Sequence, residues 1–235
     1  MKVSNYVRKA ILLMILFGLL YEGVASVLGV QGATSVTPGA SSRAAFNNTS
    51  SAFIPVQAGN VTELNISAMG VSDHWAGFYG DISGNITLSD GSDNVFYDWT
   101  GLNALSGEVF ASNDSAVAWA GIGCADAIEV TAIETFLGIA PTDADRINQT
   151  YTTNSHPDFE VGGVAVSGCN TTNVGTDATA FYQVLLTDTN GAPVFTTLIN
   201  ESTTGFDSAA HDFQLLVGEP DSAGTTAMYF YIELS

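Results

Sequence analysis

The feature that most constrains this fold is an aromatic stretch, residues 74–100, in which two apolar runs flank a turn signal. The first run is broken by Gly77, Gly80 and Gly84, which inside strands mark bulges or tight bends. The polar segment 89–94, SDGSDN, then leads into the second run, VFYDW. The stretch therefore predicts a β-hairpin with an aromatic core.

The rest of the exported part predicts further short strands. Their ranges are 60–68, 107–112, 159–166, 180–187, 193–199, 212–217 and 225–234. Asn190-Gly191 is the strongest hairpin signal in the chain, because this dipeptide suits a type I′ turn. The last two runs predict a second hairpin across the loop 218–224.

One segment, 124–138, changes to helical spacing. The predicted apolar face consists of Ile128, Ala132, Ile133 and Phe136 or Leu137. Asp126 suits the N-cap, and Gly138 suits the C-terminal stop. A short helical turn is expected within 142–149. Many strands with one short helix predict an all-β protein, a β-sandwich of jelly-roll or immunoglobulin-like type.

The N-terminal part predicts export. Residues 1–9 carry three positive charges, and residues 10–30 form an apolar run long enough to span a bilayer as a helix. Three interpretations stay open: a signal peptide cleaved near residues 24–26, an uncleaved membrane anchor, or a prepilin-like leader whose helix is retained. The predicted organisation is a leader and hydrophobic helix (1–31), a Ser/Thr/Gly-rich linker (32–59) and an extracellular β-domain (60–235).

The charge balance excludes nucleic acid as a partner. The chain has 24 acidic and 5 basic residues and a net charge of −19. From residue 44 onward Arg146 is the only basic residue other than histidine, so the surface repels phosphate backbones and anionic headgroups.

The two cysteines, Cys124 and Cys169, favour a disulfide because the chain is exported. Two unrelated buried thiols are the alternative. Zinc ligation by cysteine is not expected, since neither residue has a second ligand nearby in sequence.

N-glycosylation sequons are in excess. The nine acceptor positions are Asn47, Asn48, Asn60, Asn65, Asn85, Asn113, Asn148, Asn170 and Asn200. Roughly three would arise by chance from this composition. The excess predicts a glycosylated extracellular surface, with general Asn, Ser and Thr richness as the alternative.

No motif indicates catalysis, and we expect neither enzymatic activity nor a cofactor. His74, His156 and His211 lie in no metal-binding pair and beside no nucleophile motif. The aspartates raise calcium as an alternative, with Asp90, Asp93 and Asp98 as one group and Asp143 and Asp145 as another. The interpretation as turn formers is favoured, because neither group has EF-hand order.

Four aromatic residues, Trp75, Tyr79, Tyr97 and Trp99, suggest a sugar-stacking platform. Strand alternation turns half of each run inward, so we expect most of them in the core. Exposed aromatic side chains would favour glycan binding.

Several stretches together resemble secreted archaeal cell-surface proteins, pilins and thread proteins. They are HWAGFYGDISGNITL and VFYDW within 74–99, GEVFAS at 107–112, Cys124, HDFQLLV at 211–217 and YFYIEL at 229–234, together with the basic leader and apolar helix. The acidic residue usual near the start of a mature pilin helix is missing. The resemblance implies a β-rich exported domain and a filament-associated or coat component, and it carries no catalytic residues.

The expected function is a structural subunit of an archaeal extracellular filament or cell-surface coat. Its partners would be other copies of itself, with the membrane as a further contact through residues 10–30. The alternative is a membrane-anchored adhesin or carbohydrate-binding β-sandwich. Each of these interpretations predicts location at the cell surface.

Overall fold

The computed structural model describes residues 29–44, 55, 57–61, 63–64, 70–84, 86–92, 94–99, 106–175, 180–220 and 225–234. Of the predicted N-terminal helix, only residues 29 and 30 fall within these ranges. No helix in the described ranges has the length and apolarity to cross a membrane.

The described elements are almost all strands, as expected for an all-β protein. The strands are β1 (Gln31–Gly32), β2 (Trp75–Gly80), β3 (Ile86–Ser89), β4 (Val95–Trp99), β5 (Gly107–Ser112), β6 (Gly123–Cys124), β7 (Phe159–Val161), β8 (Val164–Val166), β9 (Thr171–Val174), β10 (Phe181–Thr187), β11 (Pro193–Leu198), β12 (Thr203–Thr204), β13 (Ala210–His211), β14 (Phe213–Gly218) and β15 (Tyr229–Leu234). The helices are α1 (Ala127–Leu137) and α2 (Ile147–Thr150), with a 3₁₀ turn at Trp119–Gly121. The predicted all-β class is confirmed.

The largest sheet is antiparallel and organises the domain. Its strand order is β1-β15-β5-β11-β10-β6, and β9 pairs with β10 beside β6. The β10–β11 hairpin closes at the Thr187↔Pro193 pair, so the hairpin predicted from Asn190-Gly191 is confirmed. This sheet holds most of the long-range pairing in the described part of the chain.

Side-chain alternation gives this sheet two buried faces. Val109, Leu185 and Phe195 point to one face, where α1, α2 and β14 cover them. The other face carries Phe110 and Leu186 and is covered by the β7–β8 pair and the segment around the 3₁₀ turn. A strand buried on both faces explains why β5, β10 and β11 are apolar with little polar alternation.

Helix α1 begins and ends where the sequence predicts. Asp126 accepts hydrogen bonds from the Ile128 and Glu129 amides, and the Glu129 carboxylate accepts one from the Asp126 amide, which completes a capping box. Gly138 ends the helix in the left-handed region with φ 76°. The predicted apolar face was partly wrong, because Ile128 and Phe136 are exposed. The helix buries Ile133 and Leu137, as predicted, together with Val130.

Three strand predictions need correction, and a fourth lies only partly within the described residues. β2 pairs with β14 from the other end of the chain, so only β3 and β4 form the predicted aromatic hairpin. β14 and β15 do not pair with each other, since β15 lies between β1 and β5. The run 159–166 is a tight β7–β8 hairpin, because Gly162 and Gly163 take positive φ. No strand is found at the described positions of 60–68, which are 60, 61, 63 and 64.

Candidate functional site

The β3–β4 pair, residues 86–92 and 94–99, is named the aromatic hairpin below. Its strands pair only with each other in the described part of the chain. The turn is set by Asp90, whose carboxylate accepts hydrogen bonds from the Ser92 and Asn94 amides at 2.9 and 3.0 Å. The Asn94 side chain also donates a hydrogen bond to this carboxylate at 2.9 Å. That bond, followed by the two from the backbone amides, lowers the pKa of Asp90. Turn chemistry therefore forms the hairpin without help from the core.

The aromatic hairpin exposes most of its large side chains. The Leu88↔Tyr97 pair puts Leu88, Tyr97 and Trp99 on one face, because Tyr97 and Trp99 are two residues apart. Tyr97 is 55% exposed, Trp99 50% and Phe96, beside a register shift, 84%. The rings of Tyr97 and Trp99 meet edge to face with centroids 4.8 Å apart. The predicted aromatic core of this hairpin was therefore wrong, because these side chains are exposed.

The four aromatic residues of the suggested sugar platform separate into two groups. Trp75 packs in the core against Tyr151 and Phe195, with both ring-centroid distances 6.2 Å. Its indole N–H donates to the Asp145 carbonyl at 2.6 Å. Tyr79 is half exposed and contacts Phe206 at a ring-centroid distance of 4.8 Å. Only the Tyr97 and Trp99 pair remains as a platform on the aromatic hairpin.

The second site joins His74 to Asp143 and Asp145. One potential ligand atom from each of these residues lies within 4.8 Å of the others. His74 Nε2 is 3.8 Å from the Asp143 carboxylate, and His74 Nδ1 is buried without a hydrogen-bond partner. These three residues are named the His74–Asp143–Asp145 cluster below. The sequence places His74 in no metal-binding pair, so the fold alone brings the cluster together.

The backbone holds the cluster from both sides. Asp143 Oδ2 accepts from the Ala140 amide at 2.7 Å, and the Asp143 amide donates to the Ala140 carbonyl at 3.0 Å. Ser72 donates its hydroxyl hydrogen to the Asp145 carboxylate. The His74 carbonyl accepts from the Glu219 amide at 2.8 Å, which fixes the start of β2 against the end of β14. Sequence spacing carries no signal for this site, because the fold brings together residues distant in the chain.

The other two histidines are engaged elsewhere. His211 Nε2 lies 2.9 Å from the Asp207 carboxylate, and this contact, after the Ala209 amide, lowers the pKa of Asp207. His156 Nε2 accepts from the Cys169 amide at 3.0 Å. Across the described ranges, no imidazole is hydrogen-bonded to a serine hydroxyl in a Ser-His-Asp arrangement. The expected lack of catalysis stays a prediction.

The predicted disulfide is confirmed. Cys124 and Cys169 are bonded, with 5.1 Å between their Cα atoms. The bond links β6, at the edge of the main sheet, to the loop that follows β8.

Five of the nine sequons lie in described residues. Asn60, Asn148, Asn170 and Asn200 are exposed, and Asn113 is half-buried. The side-chain Nδ2 of Asn200 donates a hydrogen bond to the Ala180 carbonyl at 2.7 Å. Asn47, Asn48, Asn65 and Asn85 lie outside the described residues. Glycosylation of these positions stays a prediction.

The calcium candidates of the aromatic hairpin divide by position. The Asp90 carboxylate is occupied by the Ser92 and Asn94 amides and by the Asn94 side chain, as in a turn. Asp98 faces Thr87 across the strand pair, and Asp93 lies outside the described residues. Asp90 therefore functions as a turn residue.

No family model, curated protein or solved structure matches this chain.

Proposed function

We propose that this chain is a non-catalytic structural subunit of an extracellular cell-surface assembly, a filament of the pilus or thread type or a coat, whose copies contact one another through the aromatic hairpin. The observation that carries the proposal is the exposure of Leu88, Tyr97 and Trp99 on one hairpin face. A contiguous apolar patch on a folded domain marks an interaction site more often than chance exposure.

The composition of the patch favours a protein partner over a sugar. Leu88 and Val95 are aliphatic and half or more exposed, and they stand beside the rings where a glycan site would need hydrogen-bonding groups. Tyr97 and Trp99 within an apolar patch suit a protein interface, because the centre of such interfaces is enriched in aromatic residues. Among the described residues the two strands of the hairpin pair only with each other, so a neighbouring strand can add to an outer edge.

The charge of the domain limits the contact but does not oppose it at its centre. The chain carries a net charge of −19, so two copies repel at long range. The shared face of Leu88, Tyr97 and Trp99 carries no charged group, and so the repulsion acts at the rim.

The β2–β14 pair packed over the main sheet supports a β-sandwich as the finer architecture of the domain.

The test compares two variants of the full chain in sedimentation velocity and negative-stain imaging. Tyr97→Ser with Trp99→Ser removes the rings of the hairpin, and we expect association to weaken by at least about tenfold. Ile128→Ser with Phe136→Ser is the matched control, because it removes exposed apolar side chains of similar size from α1. Equal association of wild type and the hairpin variant would contradict the proposal.

A carbohydrate-binding adhesin is the second candidate, and the Tyr97–Trp99 ring pair favours it. Aromatic faces stack on sugar rings, and a neutral glycan avoids the charge repulsion between copies. Retention on immobilised cell-surface polysaccharide measures this binding directly. Loss of retention in Trp99→Ala, with sedimentation unchanged and monomeric in both proteins, would replace the assembly with the adhesin.

A further inference from the structure

We propose that the His74–Asp143–Asp145 cluster is a binding site for a divalent transition-metal cation, with Zn²⁺ as the ion that its donors fit best. The site is independent of the aromatic hairpin and of the proposed assembly. It joins the start of β2 to the loop between α1 and α2.

The imidazole of His74 has a ring nitrogen that can act as a ligand. His74 Nδ1 is buried without a hydrogen-bond partner, and Nε2 is 3.8 Å from Asp143, beyond hydrogen-bond length. Nε2 is the ring nitrogen near the Asp143 carboxylate, and a neutral imidazole that carries its hydrogen on Nδ1 has its lone pair on Nε2. Nε2 is therefore the atom placed to coordinate a cation.

Two negatively charged carboxylates converge beside this imidazole. Asp143 and Asp145 each direct a carboxylate oxygen to within 4.8 Å of the imidazole and of each other. The guanidinium of Arg146 donates from Nη1 to the Pro141 carbonyl at 2.6 Å and has no hydrogen bond to either carboxylate. Among the described residues, the two like charges are thus held together by backbone and hydroxyl donors, with no arginine or lysine between them.

The donor set selects the class of ion. One imidazole nitrogen and two carboxylate oxygens are ligands that Zn²⁺ accepts in tetrahedral sites. Ca²⁺ and Mg²⁺ take oxygen ligands almost exclusively, so the histidine disfavours both. This argument separates the cluster from the calcium site that the sequence suggested at Asp143 and Asp145.

The remaining coordination position has access to water. Asp143 also lines an open surface depression of about 260 Å³, together with Pro141, Thr142, Ala144, Arg146 and Gln149. The His74 side chain is 14% exposed and that of Asp143 is 34% exposed, so an ion reaches the cluster without opening the core. Three protein ligands with water as the fourth complete a tetrahedral shell.

The experiment measures Zn²⁺ binding to the full chain after treatment with a chelator. Isothermal titration of wild type with Zn²⁺ alone is expected to give one ion per chain. His74→Gln and Asp143→Asn, made separately, are each expected to weaken binding by at least about tenfold. His211→Gln is the matched control, since it removes a half-buried histidine that faces a single aspartate, Asp207.

Two further readouts keep the proposal falsifiable if His74→Gln folds poorly. Co²⁺ in place of Zn²⁺ should give visible absorption of tetrahedral type in wild type and in His211→Gln, and none in Asp143→Asn. Zn²⁺ at about 100 times its Kd should raise the melting temperature of wild type and not that of Asp143→Asn. Absence of stoichiometric binding in wild type, or equal binding in wild type and Asp143→Asn, would overturn the site.

Discussion

The β10–β11 hairpin and the aromatic hairpin use the same turn chemistry and reach opposite positions in the molecule. In the first, one Asp188 oxygen accepts from the Asn190 and Ala192 amides at 2.8 and 3.0 Å. In the second, one Asp90 oxygen accepts from amides at the same two spacings, at 2.9 and 3.0 Å. Yet β10 and β11 are the centre of the core, and β3 and β4 stand exposed.

The difference comes from what packs on each pair of strands. The second oxygen of Asp188 accepts from the Ala118 amide at 3.0 Å, so this turn is tied to a distant segment. β10 and β11 are covered on both faces by α1, β14 and the β7–β8 pair. No other described strand pairs with the aromatic hairpin, and Phe96, Tyr97 and Trp99 are each at least half exposed. Local residues thus decide that a hairpin forms, and tertiary partners decide whether it is buried.

The largest expected effect is the difference in stability loss when one phenylalanine of each hairpin is replaced by alanine. Phe195→Ala empties a fully buried position beside Trp75 and is expected to cost about 3–5 kcal/mol of unfolding free energy. Phe96→Ala removes a ring that is mostly in water and should change stability by less than about 0.5 kcal/mol. Urea denaturation of both variants measures the contrast. Similar losses in the two would mean that the aromatic hairpin is packed after all.

The disulfide should stabilise the region around the β10–β11 hairpin and have no effect on the aromatic hairpin. Replacing Cys124 and Cys169 together by alanine opens a loop with a sequence separation of 45 residues. On the chain-entropy model this lowers the unfolding free energy by about 4 kcal/mol. Amide hydrogen exchange should accelerate in β6 and β10, while exchange in the aromatic hairpin stays as in wild type. A uniform acceleration in both regions would contradict a local role for the bond.

Titration extends the comparison to buried carboxyl groups in the same sheet. Glu108 and Glu233 face each other across β5 and β15, and both are buried. Burial, and then the charge of Glu233, raise the pKa of Glu108 to about 8. The pKa of Glu233 is also raised, by burial above all, although a hydrogen bond from the Gly162 amide opposes the shift.

The sign of the pH effect follows from these directions. The folded chain keeps the Glu108 proton up to about pH 8, whereas the unfolded chain releases it near the ordinary value of 4.5. Stability is therefore greatest below pH 4.5, as far as this group is concerned, and falls as the pH rises toward 8. Glu108→Gln should raise the unfolding free energy at pH 8 by on the order of 4 kcal/mol and leave it nearly unchanged at pH 4.5.

Chemical denaturation at the two pH values checks this prediction. Glu63→Gln is the charge-matched control, because Glu63 is exposed. An equal gain in both variants at pH 8 would attribute the effect to net charge, and the pair of buried glutamates would then carry none of it.

Sequence patterns predicted the elements of this fold better than their partners. The capping residue Asp126 and the terminal Gly138 defined α1, and Asn190-Gly191 defined the central hairpin, because these signals act within a few residues. The pairing of β2 with β14 joins opposite ends of the chain, and no local pattern encodes it. The apolar run VFYDW reads the same whether buried or exposed, which is why its core position was predicted wrongly.

The candidate sites divide in the same way. Cys124 and Cys169 were paired correctly, since two cysteines allow only one disulfide within the chain. The aspartates at 143 and 145 were singled out, but the histidine that joins them was not. His74 reaches them only because Trp75 enters the core and donates to the Asp145 carbonyl, a tertiary contact. Prediction of that site required the fold.

The smallest expected effect lies in the two turn aspartates themselves. Burial pushes the pKa of Asp188 upward, but hydrogen bonds from the Ala118, Ala192 and Asn190 amides outweigh it and hold the pKa below its usual value. Asp188→Ala leaves those three amides without an acceptor at a buried position and should cost about 1–2 kcal/mol. In Asp90→Ala the freed amides are in water, which replaces the carboxylate, so the loss should be clearly smaller.

The pH dependence gives this last contrast its sharpest form. Because the pKa of Asp188 is lowered on folding, its contribution is complete at neutral pH and is lost as the pH falls through the folded value. The stability difference between wild type and Asp188→Ala should therefore shrink from pH 7 to pH 2.5, measured by urea denaturation at each pH. If Asp90→Ala loses as much at pH 7 as Asp188→Ala, local turn bonds outweigh tertiary ones, and burial does not distinguish the two hairpins at their turns.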